Sequence, residues 1–590
     1  MNGLLRLIGN ENKKLAKQTG LRVLLIVIAL LTVLLPIPVA LFSKVSDSGS
    51  RLRNDTSVSE GIERARSHGD ALEESYWRRF EKANSFFSND IDADDISWKA
   101  DVFYDEYVTM LGWLYASRHV QSGEFTYENI ENSSLGNIFY NSDRPDFCKT
   151  DEHEPSYFFM PEVIGETVKH INAEVTALEN DIKSYTLRSF YQEKLDSANE
   201  KLEQNRRALD ALTATPAELP PEITTVEEAA AYRDMMLTRA ARSVEAAELN
   251  VYGWQLLRDR ELPYGGWQYV TVTELISSDL MTYSEIYVSI PRILFESGKL
   301  YPAGQYRYGS YEHYLAANGE KMWTDSMLLA RYSLENDIPL TGTVKRSAKT
   351  AFTSFLSMTL GMLIIFVIIV SGTILSNEYS SGTVRLLLIR PRSRAKILAS
   401  KMLSMYIWWL CAAAVAAVML AAECMILYGV KDIFTPSLFV ISGSVAVIPA
   451  PIMAVVRILL SILSASPIVL FALLISTLVK RSALPIALSM MARFSSTAAT
   501  SVALLINETF PLAHLEYSPL PYLDLTAFLT NATSSFISGG SYSVVSTIAS
   551  AFAAGRSIYH LYVGIAWMAA LSVLMAALSF LSFTKQQIKN

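Results

Sequence analysis

Apolar and polar positions are unevenly spread along this 590-residue chain: one apolar run lies near the start, a long polar stretch follows, and the last 240 or so residues are mostly apolar with short polar breaks. A run of about 20 apolar residues is long enough to cross the hydrocarbon core of a bilayer as a helix. The pattern therefore predicts six membrane helices, at 23–43, 351–376, 402–428, 459–479, 483–506 and 557–583. Before the first span, residues 1–22 pair Leu4, Leu5, Leu7 and Ile8 with Lys13, Lys14, Lys17 and Arg22, as a short amphipathic helix lying in a membrane interface does. Residues 429–458 are apolar too, but Pro449 and Pro451 interrupt them and Arg457 follows, so they are expected to form an outer or re-entrant segment.

The polar stretch, 44–349, reads as mainly helical. Ile164, Val168, Ile171, Val175, Leu178, Ile182 and Tyr185 alternate by four and three residues, the spacing of a coiled coil. Tyr191, Leu195, Ala198, Leu202 and Leu209 resume it after a shift of register, and Pro216, Pro220 and Pro221 then break the helix. A second helix over Val226 to Leu257 is expected to fold back as an antiparallel hairpin. Aromatic residues at 76–80 and 103–115, among them Trp77, Phe80, Tyr107 and Trp113, are candidates for a compact core. The fold class expected is an all-α polytopic membrane protein with six transmembrane helices plus a large, mainly helical extracellular domain containing that hairpin.

Charge sharpens this picture. Residues 44–349 hold 51 of the 58 acidic and 32 of the 51 basic residues, a net charge of −19, which leaves the remainder at +12. An acidic domain of that kind excludes nucleic acid as a partner. The three cysteines make no disulfide framework, and no metal site or catalytic Ser/His/Asp set is evident. There is also no phosphate-binding loop: Ser297-Gly298-Lys299-Leu300 lacks both the earlier glycine and the hydroxyl that would meet magnesium, so ATP, if it is used, is bound by another chain.

The most informative break between spans is 377–401. Arg385, Arg390, Arg392, Arg394, Lys396 and Lys401 face Glu378 alone, and such an excess of Lys and Arg marks a cytoplasmic loop. Gly382 permits a sharp turn, Pro391 breaks one helix and Ser393 is placed to cap the next. Glu378, then Gly382-Thr383, a short apolar turn, Pro391, Ser393-Arg394 and Lys401 resemble the corresponding loop of the ABC-2 family of exporter permeases. Phe471 to Val479, followed by Lys480-Arg481-Ser482-Ala483, resembles that family's fourth span and inner turn. The resemblance covers the membrane part only. It implies that Glu378, Gly382, Thr383, Pro391, Ser393, Arg394 and Lys401 couple to a separate ATPase subunit, and that the permease pairs with a copy of itself or with a second permease. It further implies export across the plasma membrane, in a bacterial cell.

The same charge rule fixes the expected topology. With one crossing at 459–479, the cytosol holds 15 basic residues and only Glu11 and Glu378 as acids, both termini are inside, residues 584–590 are a cytoplasmic tail, and 507–556 form an extracellular loop. Glu423, Arg457 and Arg493 lie in or beside spans, where an ionisable group is costly and marks function, so they are candidates for a translocation path. The competing function is a membrane-anchored receptor or assembly factor acting through its extracellular domain. A mere anchor has no use for those three charges.

Overall fold

A computed structural model of the chain describes residues 2–40, 55–92, 94–140, 144–149, 153–215, 217–299, 310–317, 319–344, 347–380, 393–441, 443–479, 481–509, 517–529 and 560–585. The chain divides into two compact units, 41–193 and the rest. Almost all of the described structure is helical. The chain opens with α1 (Asn2–Lys17) and α2 (Thr19–Leu34), both part of the larger unit.

The smaller unit is built from α3 (Asp55–His68), α4 (Ala71–Asn89), α5 (Ile96–Gln121) and α6 (Ile164–Ser184). Asp70 caps α4 by accepting the Glu73 amide at 2.9 Å. The aromatic residues do form one core: Phe87, Tyr107, Trp113, Phe139 and Phe159 are all buried there, with Trp113 edge-on to Phe139. The stripe of α6 enters the same core through Ile164, Ile171, Val175 and Ile182. Tyr107 Oη donates to Glu179 on α6 at 2.5 Å, and burial, followed by this hydrogen bond, pushes the phenol above its ordinary range. Cys148 is buried in this core as well.

The hairpin therefore differs from the expected one. Its first arm is not continuous: the helix stops at Tyr185, whose backbone is extended, and the Thr186 hydroxyl accepts the Ser189 amide at 3.1 Å as α7 (Leu187–Ala214) begins. The break falls at the register shift, where an uninterrupted helix would turn its apolar stripe off the core. The division between units falls within α7. In the larger unit α7 pairs with α8 (Val226–Asp259), Asn205 donating to the Ser243 carbonyl at 2.9 Å and Arg206 bridging Glu248 at 3.0 Å.

After α9 (Glu320–Asn336) come α10 (Ala348–Thr373), α11 (Arg394–Tyr428), a β-hairpin of β1 (Ser437–Ile441) and β2 (Ser444–Ile448), then α12 (Ala450–Leu478), α13 (Ala483–Thr509) and α14 (Leu561–Lys585). Among the described residues five stretches are long and apolar enough to cross a membrane: Thr19–Ala40, Ala348–Tyr379, Arg394–Tyr428, Ala450–Leu478 and Leu561–Lys585. The chain is thus a mainly helical, membrane-embedded protein. The expected fifth span, 483–506, forms the helix α13 but is not one of these five.

The segment 429–458 is the main departure from the expected outline. Ile441 pairs with Ser444 across a two-residue turn in which Gly443 takes a φ of +78°, a left-handed conformation that suits glycine. The following helix starts at Ala450 rather than near 459, so Arg457 lies inside it. Proline costs little in the first helical turn, whose amide hydrogens have no partner within the helix, so Pro449 and Pro451 begin α12 instead of interrupting it.

The Val226 end of α8 carries a titratable cap. The Glu228 carboxylate accepts Lys299 Nζ at 2.7 Å and the amides of Thr224 and Thr225, and these bonds, Lys299 first, lower its pKa from 4.5 to about 2. Because the folded value is the lower one, this contribution is present in full above pH 4.5 and is lost as pH falls toward 2. Glu228→Gln should flatten the acid limb of stability over that interval, measured by thermal melts of the purified full chain between pH 2 and 5.

Candidate functional site

Two polar clusters lie within the apolar helices of the larger unit. The first gathers around Lys401 of α11, which has no solvent exposure. Its Nζ, about two turns from the start of α11, donates to Glu378 Oε1 at 2.8 Å and to Glu11 Oε2 at 3.0 Å, and Lys14 also pairs with Glu378. Glu11 and Lys14 lie three residues apart on α1, which places them on one face. That helix is further held by Leu15, buried with Leu356, Met405 and Trp409, and by Ser404, whose hydroxyl donates to the Ile8 carbonyl at 3.3 Å. Two lysines and two glutamates leave the cluster neutral. Nearby, the Ser376 amide donates to Ser476 Oγ at 3.1 Å, so the end of α10 is also fastened to α12.

The second cluster lines a cavity of about 80 Å³. Ser357, Leu360, Gly361 and Ile364 of α10 and Ser461, Ser464, Ala465 and Ile468 of α12 form its sides, each set following helical spacing. Arg493 of α13 and Leu523, Asp524 and Thr526 of the segment after it complete the wall. Arg457, one turn before Ser461, is buried and donates from Nη1 to Ser357 Oγ at 3.0 Å. Ser464 Oγ accepts the Leu525 amide at 2.9 Å and so fixes 523–526 against α12. Pro467 lies in α12 at this level, preceded by Ser464 and Ser466, whose hydroxyls return to the carbonyls of Leu460 and Ile462.

The residues singled out from sequence separate accordingly. Glu378 and Lys401 come together. Arg394 opens α11 and reaches the Thr584 carbonyl at 3.4 Å, and Ser393 holds the position before it, although its side chain makes no capping bond. Gly382, Thr383 and Pro391 lie outside the described residues. Arg493 lines the cavity and Arg457 is bonded to Ser357 on its wall, whereas Glu423 does not line it: both Glu423 carboxylate oxygens are shielded from solvent and accept no hydrogen bond among the described residues. Glu11, Lys14 and Asp524 are participants that sequence reasoning left out. Glu11 and Lys14 were legible as an i,i+3 pair on an amphipathic helix, but no local signal ties them to a loop more than 350 residues away.

Residues 331–588 match a family model described as "Protein of unknown function (DUF2705)". No curated protein and no solved structure matches the chain.

Removing one member of a buried ion pair leaves the other charge uncompensated, at a cost of about 3–5 kcal/mol. Lys401→Met should therefore lower stability by that order. In a double-mutant cycle with Glu378→Gln the double variant should lose less than the sum of the two single losses, read from thermal unfolding of the detergent-solubilised protein.

Proposed function

We propose that the chain is the permease subunit of an ATP-binding cassette exporter of the ABC-2 type, acting with a separate ATPase subunit and paired with a second permease. The observation that supports this reading is the neutral cluster at Lys401. It joins both ends of the basic loop 377–401 to α1 beneath the bundle, so a push delivered on that loop reaches three elements at once. A solvated loop of an inert anchor needs no such buried cross-brace, since buried ion pairs rarely repay their desolvation in stability alone. The cluster also removes an objection to the topology. Glu11 and Glu378, the two acids on an otherwise basic inner face, are both bound to Lys401, and the six-span arrangement with both ends inside keeps its charge asymmetry.

A receptor or assembly factor is disfavoured by Arg457, buried and bonded to Ser357, and by Arg493, which lines the cavity, two guanidinium groups among apolar helices. On the transport reading, the plasma membrane holds 44–349 outside and the loop inside.

Two measurements test the proposal. Arg392→Glu with Arg394→Glu should leave the protein inserted but uncouple it, so that a co-expressed ATPase no longer co-purifies or no longer supports export. Normal export by the double variant would refute the docking role. For topology, a cysteine introduced at Thr215 should react with an impermeant maleimide on intact cells and one at Ser393 only after lysis. Native Cys148 should stay silent because it is buried, and labelling of both introduced sites from outside would end the six-span reading.

A further inference from the structure

We propose that a groove between α2 and α11 holds one acyl chain of an anionic phospholipid, with the phosphate on Arg22 and the basic face of α1. Leu25, Ile28 and Thr32 of α2 and Trp408, Val415 and Met419 of α11 line a cavity of about 330 Å³, to which α10 adds Leu363. Both sets follow helical spacing, so the cavity runs lengthwise along the two helices. From Trp408 to Met419 a helix rises roughly 16 Å, which gives the void a mean cross-section of about 20 Å². A helix about 10–12 Å wide with its side chains needs about 80 Å² or more. A second helix can lie over this groove but not in it, whereas an extended hydrocarbon chain fits along it. Apolar cavities of about half this volume stay dry and take up small hydrocarbons. The Thr32 hydroxyl does not change that character, since its proton is already given to the Ile28 carbonyl at 2.8 Å.

In a bilayer the apolar groove by itself selects nothing, because neighbouring lipid tails are as apolar as its walls. Selection comes from one end. A second cavity, of about 40 Å³, shares Leu25 and Trp408 with the first and is also lined by Ala16 of α1 and by Arg22, one turn before Leu25 on α2. The void therefore continues from hydrocarbon walls to a guanidinium. Arg22 is exposed, its Nε donates to the Ala16 carbonyl at the corner between α1 and α2, and no acid pairs with it among the described residues. Arg6, Lys13 and Lys17 fall on one face of α1 by helical spacing, opposite Leu15, which is buried against α10 and α11. All three are exposed, and none forms an ion pair among the described residues. Glu11 is the only acidic residue before Asp47, and it is bonded to Lys401. An apolar slot that opens on unopposed cations suits a molecule with a hydrocarbon tail and an anionic head.

The site stands whether or not the chain transports anything. To test it, the purified full chain in detergent is titrated with phosphatidylglycerol and, separately, with phosphatidylcholine carrying identical chains, and bound lipid is counted by native mass spectrometry. Wild type should hold phosphatidylglycerol about tenfold more tightly than phosphatidylcholine, or better. Arg22→Gln should cut that preference about fivefold, the factor that one interfacial cation supplies, with Arg22→Lys close to wild type. Ala412→Phe places a ring in the groove without touching charge and should weaken both lipids by about tenfold. Cys411 gives a second reading, because it lines the groove and is exposed, whereas Cys148 and Cys424 are buried. Phosphatidylglycerol should slow its reaction with N-ethylmaleimide several-fold, and stripping the lipid should restore the rate. The proposal is overturned if wild type binds the two lipids equally, or if a folded Ala412→Phe protein binds phosphatidylglycerol as wild type does. Where that variant fails to fold, an unchanged Cys411 rate in the presence of phosphatidylglycerol overturns it. Protection of Cys411 that survives delipidation in a protein of dimer mass assigns the groove to a second copy and overturns it as well.

Discussion

Lys401 carries a full charge at a position no solvent reaches, and the larger unit can fold only if two carboxylates arrive there. One comes from the end of α10 and the other from α1, 390 residues away in sequence. A buried ammonium without partners costs several kcal/mol, so α1, α10 and α11 are bound to one another by a penalty that none can escape alone. The same penalty sets the geometry of the basic loop. Glu378 and Lys401, which stand on either side of it in sequence, touch.

The two polar clusters differ in how their charges are held. At Lys401 two cations meet two anions, which gives a fixed joint. At the cavity Arg493 and Asp524 stand on the same lining, Asp524 turned to Thr526 and Arg493 to Ser496, with no ion pair between them among the described residues. Glu423 fits neither description, since it is shielded and apart from both.

Much of the outline was legible because it rests on local patterns. Apolar runs located five of the long apolar helices, two of which begin eight or nine residues earlier than expected, and the four-and-three stripe from Ile164 to Ile182 located α6. The failures arose where the decisive partner is remote. The stripe on α6 shows that an apolar face exists, but not that it packs into the aromatic core of α5 in place of the returning helix. Pro449 and Pro451 look like interruptions until their place in the first turn of α12 is known. Arg493 was legible as a costly charge, but its neighbours were not. The acid on its cavity is Asp524, held there by a backbone bond from Leu525 to Ser464 that no periodicity announces.

Pro467 has a mechanical consequence. It has no amide hydrogen to give the Leu463 carbonyl, and the serines beside it divert two more carbonyls to side-chain hydroxyls, a pattern that softens and bends helices. The flexural stiffness of α12 is therefore lowest at the level where it walls the cavity. A bend there swings Arg457 and Ser461 on one side of the proline against the anchored Ser476 end on the other. The width of the cavity and the lean of the helix become a single coordinate.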